Sequence, residues 1–181
     1  MKIESLKIPE VKVITLDVYT DGRGFFTETF HQEKFRQMGI DTVFVQDNHS
    51  QSVKGTLRGM HYQVAPHMQG KLIYVLSGSI FDVCIDLRPD ASTFGKWVGF
   101  ELSASKKQVL YVPPQFAHGF LVTSEIANVV YKCTDLYAPE CERAIRWNDP
   151  TVAIEWPSDI PEPRLSEKDN TAPFFNDIIK P

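Results

Sequence analysis

The densest polar stretch of the chain is QDNHSQSVKGTLRGMHYQ (46–63), followed closely by QGKL (69–72). It gathers Gln46, Asn48, Arg58, His61, Gln63 and Lys71 on or between strands. Imidazoles titrate near about pH 6.5, so a histidine in a pocket can accept a proton at neutral pH. Arg58, Gln63 and Lys71 around His61 favour proton transfer over the structural role that a lone histidine usually fills. A second cluster, VPPQFAHGF (112–120), places His118 after a proline turn, where a pocket rim would form. A third, YKCTDLYAPECER (131–143), holds Tyr131, Tyr137, Glu142 and Arg143. A fourth, LSEKDN (165–170), sets Lys168 beside Asp169. Taken alone, the two tyrosines read as packed strand aromatics and the Lys168–Asp169 pair as a solvated surface pair.

The elements that must position these groups are almost all strands. Runs such as GFFTETF (24–30), TVFVQ (42–46), KLIYVLSG (71–78), SIFDVCIDL (79–87), WVGFEL (97–102), VLYVP (109–113), NVVYKCT (128–134) and RAIRW (143–147) are β-rich and punctuated by turn residues. Gly78-Ser79 between two apolar runs is a hairpin signal. In SIFDVCIDL, Ile80, Asp82, Cys84 and Asp86 alternate with Phe81, Val83, Ile85 and Leu87, which predicts one dry face and one that lines something polar. Alternation also predicts that Gln46 and Asn48 share a face, as do Lys71 and Ile73, and Arg58 and Met60. His61 then points away from Arg58 unless Gly59 permits a bulge. One helix is expected, over His31–Met38 and stopped by Gly39. Pro157, Pro161, Pro163, Pro173 and Pro181 predict an extended C-terminal tail that carries a residue back to the pocket. The fold class is all-β: a sandwich, jelly roll or small barrel.

Composition narrows the setting. The 181 residues fit one domain, over 1–181, with enough apolar content (43%) to build a core. A net charge of -4 and a pI near 5.7 argue against nucleic acid and against a polybasic membrane patch. No apolar run reaches the roughly 20 residues that span a bilayer, and MKIESLKIPEVKV lacks the apolar core of a secretory leader. Cys84, Cys133 and Cys141 are odd in number and lack C-x-x-C spacing, so reduced, buried thiols in a cytoplasmic protein are expected. His61 is followed by Tyr62-Gln63 rather than by the second histidine of an H-x-H pair, and Lys71 would repel a cation. No metal site is expected.

In order along the chain, DGRGFFTETF, FVQDNHSQS, GTLRGMHYQ, QGKL, FAHGF, YKCTDLY, WNDP and LSEKD resemble the motif series of the dTDP-4-dehydrorhamnose 3,5-epimerase family, from Asp21 to Asp169. The resemblance implies a double-stranded β-helix, the cupin-like jelly roll, with short helices and the proline-rich tail. It implies a homodimer, no cofactor, and a substrate that is a 4-keto-6-deoxyhexose carried on dTDP. It makes His61 the proton-abstracting base, Asp169 its carboxylate partner, Tyr131 the proton donor and Lys71 a cation near the ketone. Tyr137 is implied to stack on thymine and His118 to bind substrate. Arg23, Phe26, Glu28, Gln46, Asn48, Arg58, Glu142 and Lys168 fall on the family's other substrate contacts. The chain departs from the family pattern at Pro114 and Gln115, at Met60 and at Leu136. The expected reaction is inversion at C3 and C5 of dTDP-4-dehydro-6-deoxy-D-glucose, giving dTDP-4-dehydro-L-rhamnose. Alternatives are a single-carbon epimerase, a ketoisomerase, a noncatalytic sugar-nucleotide-binding module and a metal-dependent cupin oxygenase.

Overall fold

The computed structural model describes residues 1–160 and 162–178. Strands are numbered along the chain. One antiparallel sheet has the order β1 (Lys2–Ser5), β2 (Lys12–Thr15), β10 (Gln108–Val112), β7 (Lys71–Ser77), β12 (Ile126–Cys133), β5 (Gln46–Val53). The other has the order β13 (Glu142–Ala144), β6 (Leu57–Gln63), β11 (Phe116–Val122), β8 (Ser79–Asp86), β9 (Trp97–Ser103). Successive strands from β5 to β12 are divided between the two sheets, which is jelly-roll topology. Valine and isoleucine dominate the facing sides, because branched side chains fill a pleated surface well. Val13, Ile73, Val75, Leu110 and Val129 from one sheet meet Ile80, Cys84, Leu102, Phe116 and Val122 from the other. Burying each of the larger side chains stabilises by about 1.5–3 kcal/mol.

Both outer faces are covered in part. Helix α1 (Gln32–Gln37) brings Phe35, with Ile40 and Phe44, against Ile14, Leu72 and Val109 of the six-stranded sheet. Val152, Trp156 and Phe175 cover Met60, Val83, Ile85 and Ala117 of the five-stranded sheet. Outside this body a two-stranded arm, β3 (Val18–Asp21) and β4 (Gly24–Thr27), turns at Gly22-Arg23. Its aromatic residues Tyr19, Phe25 and Phe26 are exposed. No helix among the described residues is long and apolar enough to cross a membrane.

Several expectations need correction. Gly78-Ser79 is no hairpin turn: β7 and β8 lie in different sheets, and the glycine carries the chain across the sandwich. Gly78 has φ 81°, and a Cβ there would meet the Ile126 carbonyl oxygen at 2.1 Å, so only glycine fits. Two apolar runs flanking a glycine look alike whether the strands pair or part. TVFVQ is not a strand; pairing starts at Gln46, and Val43 and Val45 are exposed. The polar run QDNHSQSV forms β5 instead, because β12 pairs it over all eight residues. In β8 the polar face lines no open space: Asp82 and Asp86 are buried, and both faces of the strand are dry. The strand expected over 143–147 shrinks to β13, and the N-terminal strands β1 to β3 carry too little periodicity to be read. The tail crosses the body as expected, interrupted by α2 (Glu167–Asn170) and α3 (Phe175–Ile178). Of its prolines, Pro161 and Pro181 fall outside the described residues.

Candidate active site

A cavity of about 580 Å³ opens between the sheets, walled by β5, β6, β12 and the C-terminal strap that begins at Arg164. Ten of the expected site residues line it: Gln46, Asn48, Arg58, His61, Lys71, His118, Tyr131, Tyr137, Glu142 and Asp169. Such a volume suits a nucleotide-sized ligand.

The aim of His61 depends on a local irregularity. Pairing of β6 with β11 shifts register between His118 and Phe120, and Gly59 sits at φ 134°. Strict alternation fails there. Arg58 and His61 both face the cavity, whereas Met60 is buried in the opposite core, so the expected pairing of Arg58 with Met60 is overturned. The two strands touch at their glycines: a Cβ on Gly59 would lie 2.5 Å from Gly119 Cα.

His61 Nε2 lies 2.5 Å from Asp169 Oδ1. Asp169 comes from α2, whose Ser166 cap accepts a bond from the Asp169 backbone N–H at 3.1 Å. Burial works to raise the Asp169 carboxyl, but the His61 bond and charge, with Ser166 and the Lys168 charge, together hold the group below its ordinary range. Donation of Nε2–H to this carboxylate leaves the imidazole lone pair on Nδ1.

Across the cavity, Tyr131 projects from β12, in the other sheet. Burial pushes its phenol up, which keeps the hydroxyl protonated and able to donate. Lys71 is buried on β7, and among the described residues its ammonium donates only to the His61 carbonyl, at 3.4 Å. Burial pushes the Lys71 ammonium down from its usual value. Its remaining N–H groups are available to an oxygen in the cavity. His118 stands opposite His61 in the β11–β6 register, with Nε2 at 3.0 and 2.9 Å from the two oxygens of buried Asp82.

At the mouth, the Tyr137 hydroxyl donates to Glu142 at 2.7 Å, and Lys168 pairs with the same carboxylate. Burial works to raise Glu142, but these two partners hold it below its ordinary value. The loop carrying Tyr137 is fixed by Gln63, whose amide reaches His67 O, Leu136 O and the Ala138 N–H, and by Gln69 on Asp135 O. Gln46 and Asn48 share a face as alternation predicts, 3.2 Å apart, and Gln46 accepts from the Tyr137 N–H. Arg58 Nε donates to Ser52 at 3.0 Å.

Lys168 stands beside the cavity in its pair with Glu142. Arg23, Phe26 and Glu28 do not join the cavity of this chain. Arg23 is clamped to Asp21 at the arm's tip, Phe26 is 68% exposed, and Glu28 pairs with Lys34. Sequence reasoning missed Asp82, Gln69 and Arg164. The alternating aspartates of SIFDVCIDL were a signal for the first; nothing local marks the other two. Among the described residues no three His, Cys, Asp or Glu side chains converge as a metal site would require.

The family model described as dTDP-4-dehydrorhamnose 3,5-epimerase matches residues 5–177. The chain is 49% identical to the dTDP-4-dehydrorhamnose 3,5-epimerase of Pseudomonas aeruginosa, covering 98% of this chain and 97% of that protein. It is 50% identical to the enzyme of that name from Neisseria gonorrhoeae over 93% of this chain, and spans about half (51%) of that longer protein. A dTDP-6-deoxy-D-glucose-3,5-epimerase from Legionella pneumophila, solved in complex with dTDP-4-keto-L-rhamnose, superposes with a TM-score of 0.93 at 46% identity, covering 99% of this chain and 94% of that one. A 3'-monoepimerase from Streptomyces bikiniensis, in complex with dTDP-quinovose, gives a TM-score of 0.87 at 35% identity, with 94% and 86% covered. With a family model spanning nearly its whole length and relatives at about half identity, the chain belongs to the dTDP-4-dehydrorhamnose 3,5-epimerase family.

Proposed function

We propose that this chain inverts C3 and C5 of dTDP-4-dehydro-6-deoxy-D-glucose, with His61 as base and Tyr131 as acid on opposite walls of one cavity. Family membership supplies the reaction, and the carrying observation for the roles is that the two groups project from different sheets into the same space. Hydrogens on carbons beside a ketone are removable when the enolate oxygen is stabilised. Lys71 provides that charge, an interaction typically worth about 3–4 kcal/mol in a dry site. Nδ1 of His61 takes the proton, and Asp169 holds the ring and balances the imidazolium. Tyr131 returns a proton to the opposite face of the carbon; it then regains its own from solvent as His61 releases the abstracted proton to solvent, which restores both groups. Tyr137, held by Glu142, offers its ring to the thymine, and Arg58 offers its guanidinium to the diphosphate.

The exposed arm supports a homodimer. Arg23, Phe26 and Glu28 stand on or next to a hairpin that does not line the cavity holding His61, so a second copy receives them. The unit is one jelly-roll domain over residues 1–181, working without a cofactor in the cytoplasm. Incubation with the keto sugar in deuterated water tests the function: deuterium at both C3 and C5 is the expected result. A single labelled carbon would favour a monoepimerase, a reading motivated by the Streptomyces bikiniensis neighbour. Absence of label together with tight binding would indicate a noncatalytic module.

A further inference from the structure

The proposed ligand carries a diphosphate, with at least two negative charges to neutralise. Within one protomer, before a second copy brings in its arm, the cations that motif resemblance supplies to the cavity are few. Arg23 is bound to Asp21 outside the cavity, Lys168 is neutralised by Glu142, and Lys71 lies deep beside His61. Arg58 remains, with Nε on Ser52 and its two terminal nitrogens without a hydrogen-bond partner among the described residues.

One more arginine lines the cavity. Arg164 begins the strap that ends in Asp169. Its main chain is tied on both sides to the entry of β6: its N–H donates to Gly55 O at 2.7 Å, and its carbonyl accepts from the Leu57 N–H at 3.0 Å. It pairs with Thr56 as an isolated parallel bridge, two residues before Arg58. Its side chain is exposed and, among the described residues, meets no carboxylate within salt-bridge range. An exposed arginine on so firmly held a backbone, lining the same cavity as Arg58, has the chemistry of an anion clamp.

We infer that Arg164 is a diphosphate-binding residue, completing with Arg58 a two-guanidinium site at the β5–β6 end of the cavity. This inference rests on the nucleotide-sugar reading above. Because Arg164 is anchored through its main chain, the strap and the His61–Asp169 contact do not depend on its side chain. Losing that side chain therefore weakens binding without slowing the chemical step.

Calorimetry with wild type and Arg164→Ala, using deoxythymidine diphosphate and thymidine, tests this. The expected result is a rise of about tenfold in Kd for the diphosphate, with thymidine binding within about twofold of wild type. In turnover, KM rises by a similar factor while kcat stays within about twofold. Diphosphate affinity equal to wild type in Arg164→Ala overturns the inference. So does an equal loss for thymidine, since that would make Arg164 a shaper of the pocket. Wild type that binds no deoxythymidine diphosphate overturns the nucleotide-sugar reading and this inference together. Arg164→Gln, which retains much of the side chain's length, repeats the measurement should the alanine variant fold poorly.

Discussion

Two histidine–aspartate pairs stand side by side in this molecule, and they are built differently. His118 and Asp82 come from neighbouring strands β11 and β8, and both are buried. His61 faces the cavity with about a third of its side chain exposed (33%), and its carboxylate arrives from a strap 108 residues further along the chain. The first pair is locked by the same pairing that makes the sheet. The second is assembled only when the tail has docked, and one face of its ring stays open. A base needs that access; a group that only orients a ligand does not. That contrast suits His118 to a fixed hydrogen-bonding role and His61 to the proton exchange proposed for it.

The largest expected effect separates the two histidines. His61→Asn should lower kcat by about 10³-fold and cost some thermal stability, since it removes one partner of Asp169, which keeps its bond from Ser166. His118→Asn should lower kcat less but destabilise more, because it strands the buried Asp82; removing one partner of a buried pair costs roughly 3–5 kcal/mol. Turnover and melting measured on both variants decide the matter, and equal losses of kcat would erase the distinction. Next, Asp169→Asn should reduce kcat by about 10²-fold by disturbing the imidazole tautomer, while leaving Kd for deoxythymidine diphosphate unchanged. A variant that lost affinity instead would mean that the strap serves binding.

A smaller effect appears in the pH dependence of stability. Asp169 and Glu142 both titrate below their unfolded values, which are about 3.9 and 4.3. The stability each contributes is complete above its unfolded value and is lost as pH falls through the lower folded one. Urea melts of wild type should weaken from about pH 4 downward, and Asp169→Asn should flatten that decline. An unchanged acid slope in the variant would detach Asp169 from the stability of the strap. The smallest effect belongs to Ser166→Ala, which removes the cap above Asp169 at about 1 kcal/mol. It should lower kcat a few-fold and leave the His118–Asp82 pair untouched.

Much of this site was legible before any coordinates. Gln46 and Asn48 share a face because alternation is a property of any strand, and Gly59 marked where alternation would break. The residues that escaped notice are those whose meaning is not local. Gly78 reads as a hairpin because sequence spacing does not say which strand a neighbour will pair with. β5 was obscured by its own purpose: a strand that lines a polar cavity lacks the apolar rhythm by which strands are recognised. Arg164 lies among prolines, and only the return of the tail to β6 reveals it.

The gap between His61 and Tyr131 is set in part by the core that fills the rest of the sandwich, against which Tyr131 packs. Facing sheets sit about 10 Å apart, held at that separation by what lies between them. In the closed half of the sandwich the spacers are Val75, Val129, Ile80 and Val122. Enlarging one of these would wedge the walls apart and lengthen the reach from imidazole to phenol. A slower enzyme with an unaltered pocket sequence would follow, its defect lying in a few methyl groups on the dry side.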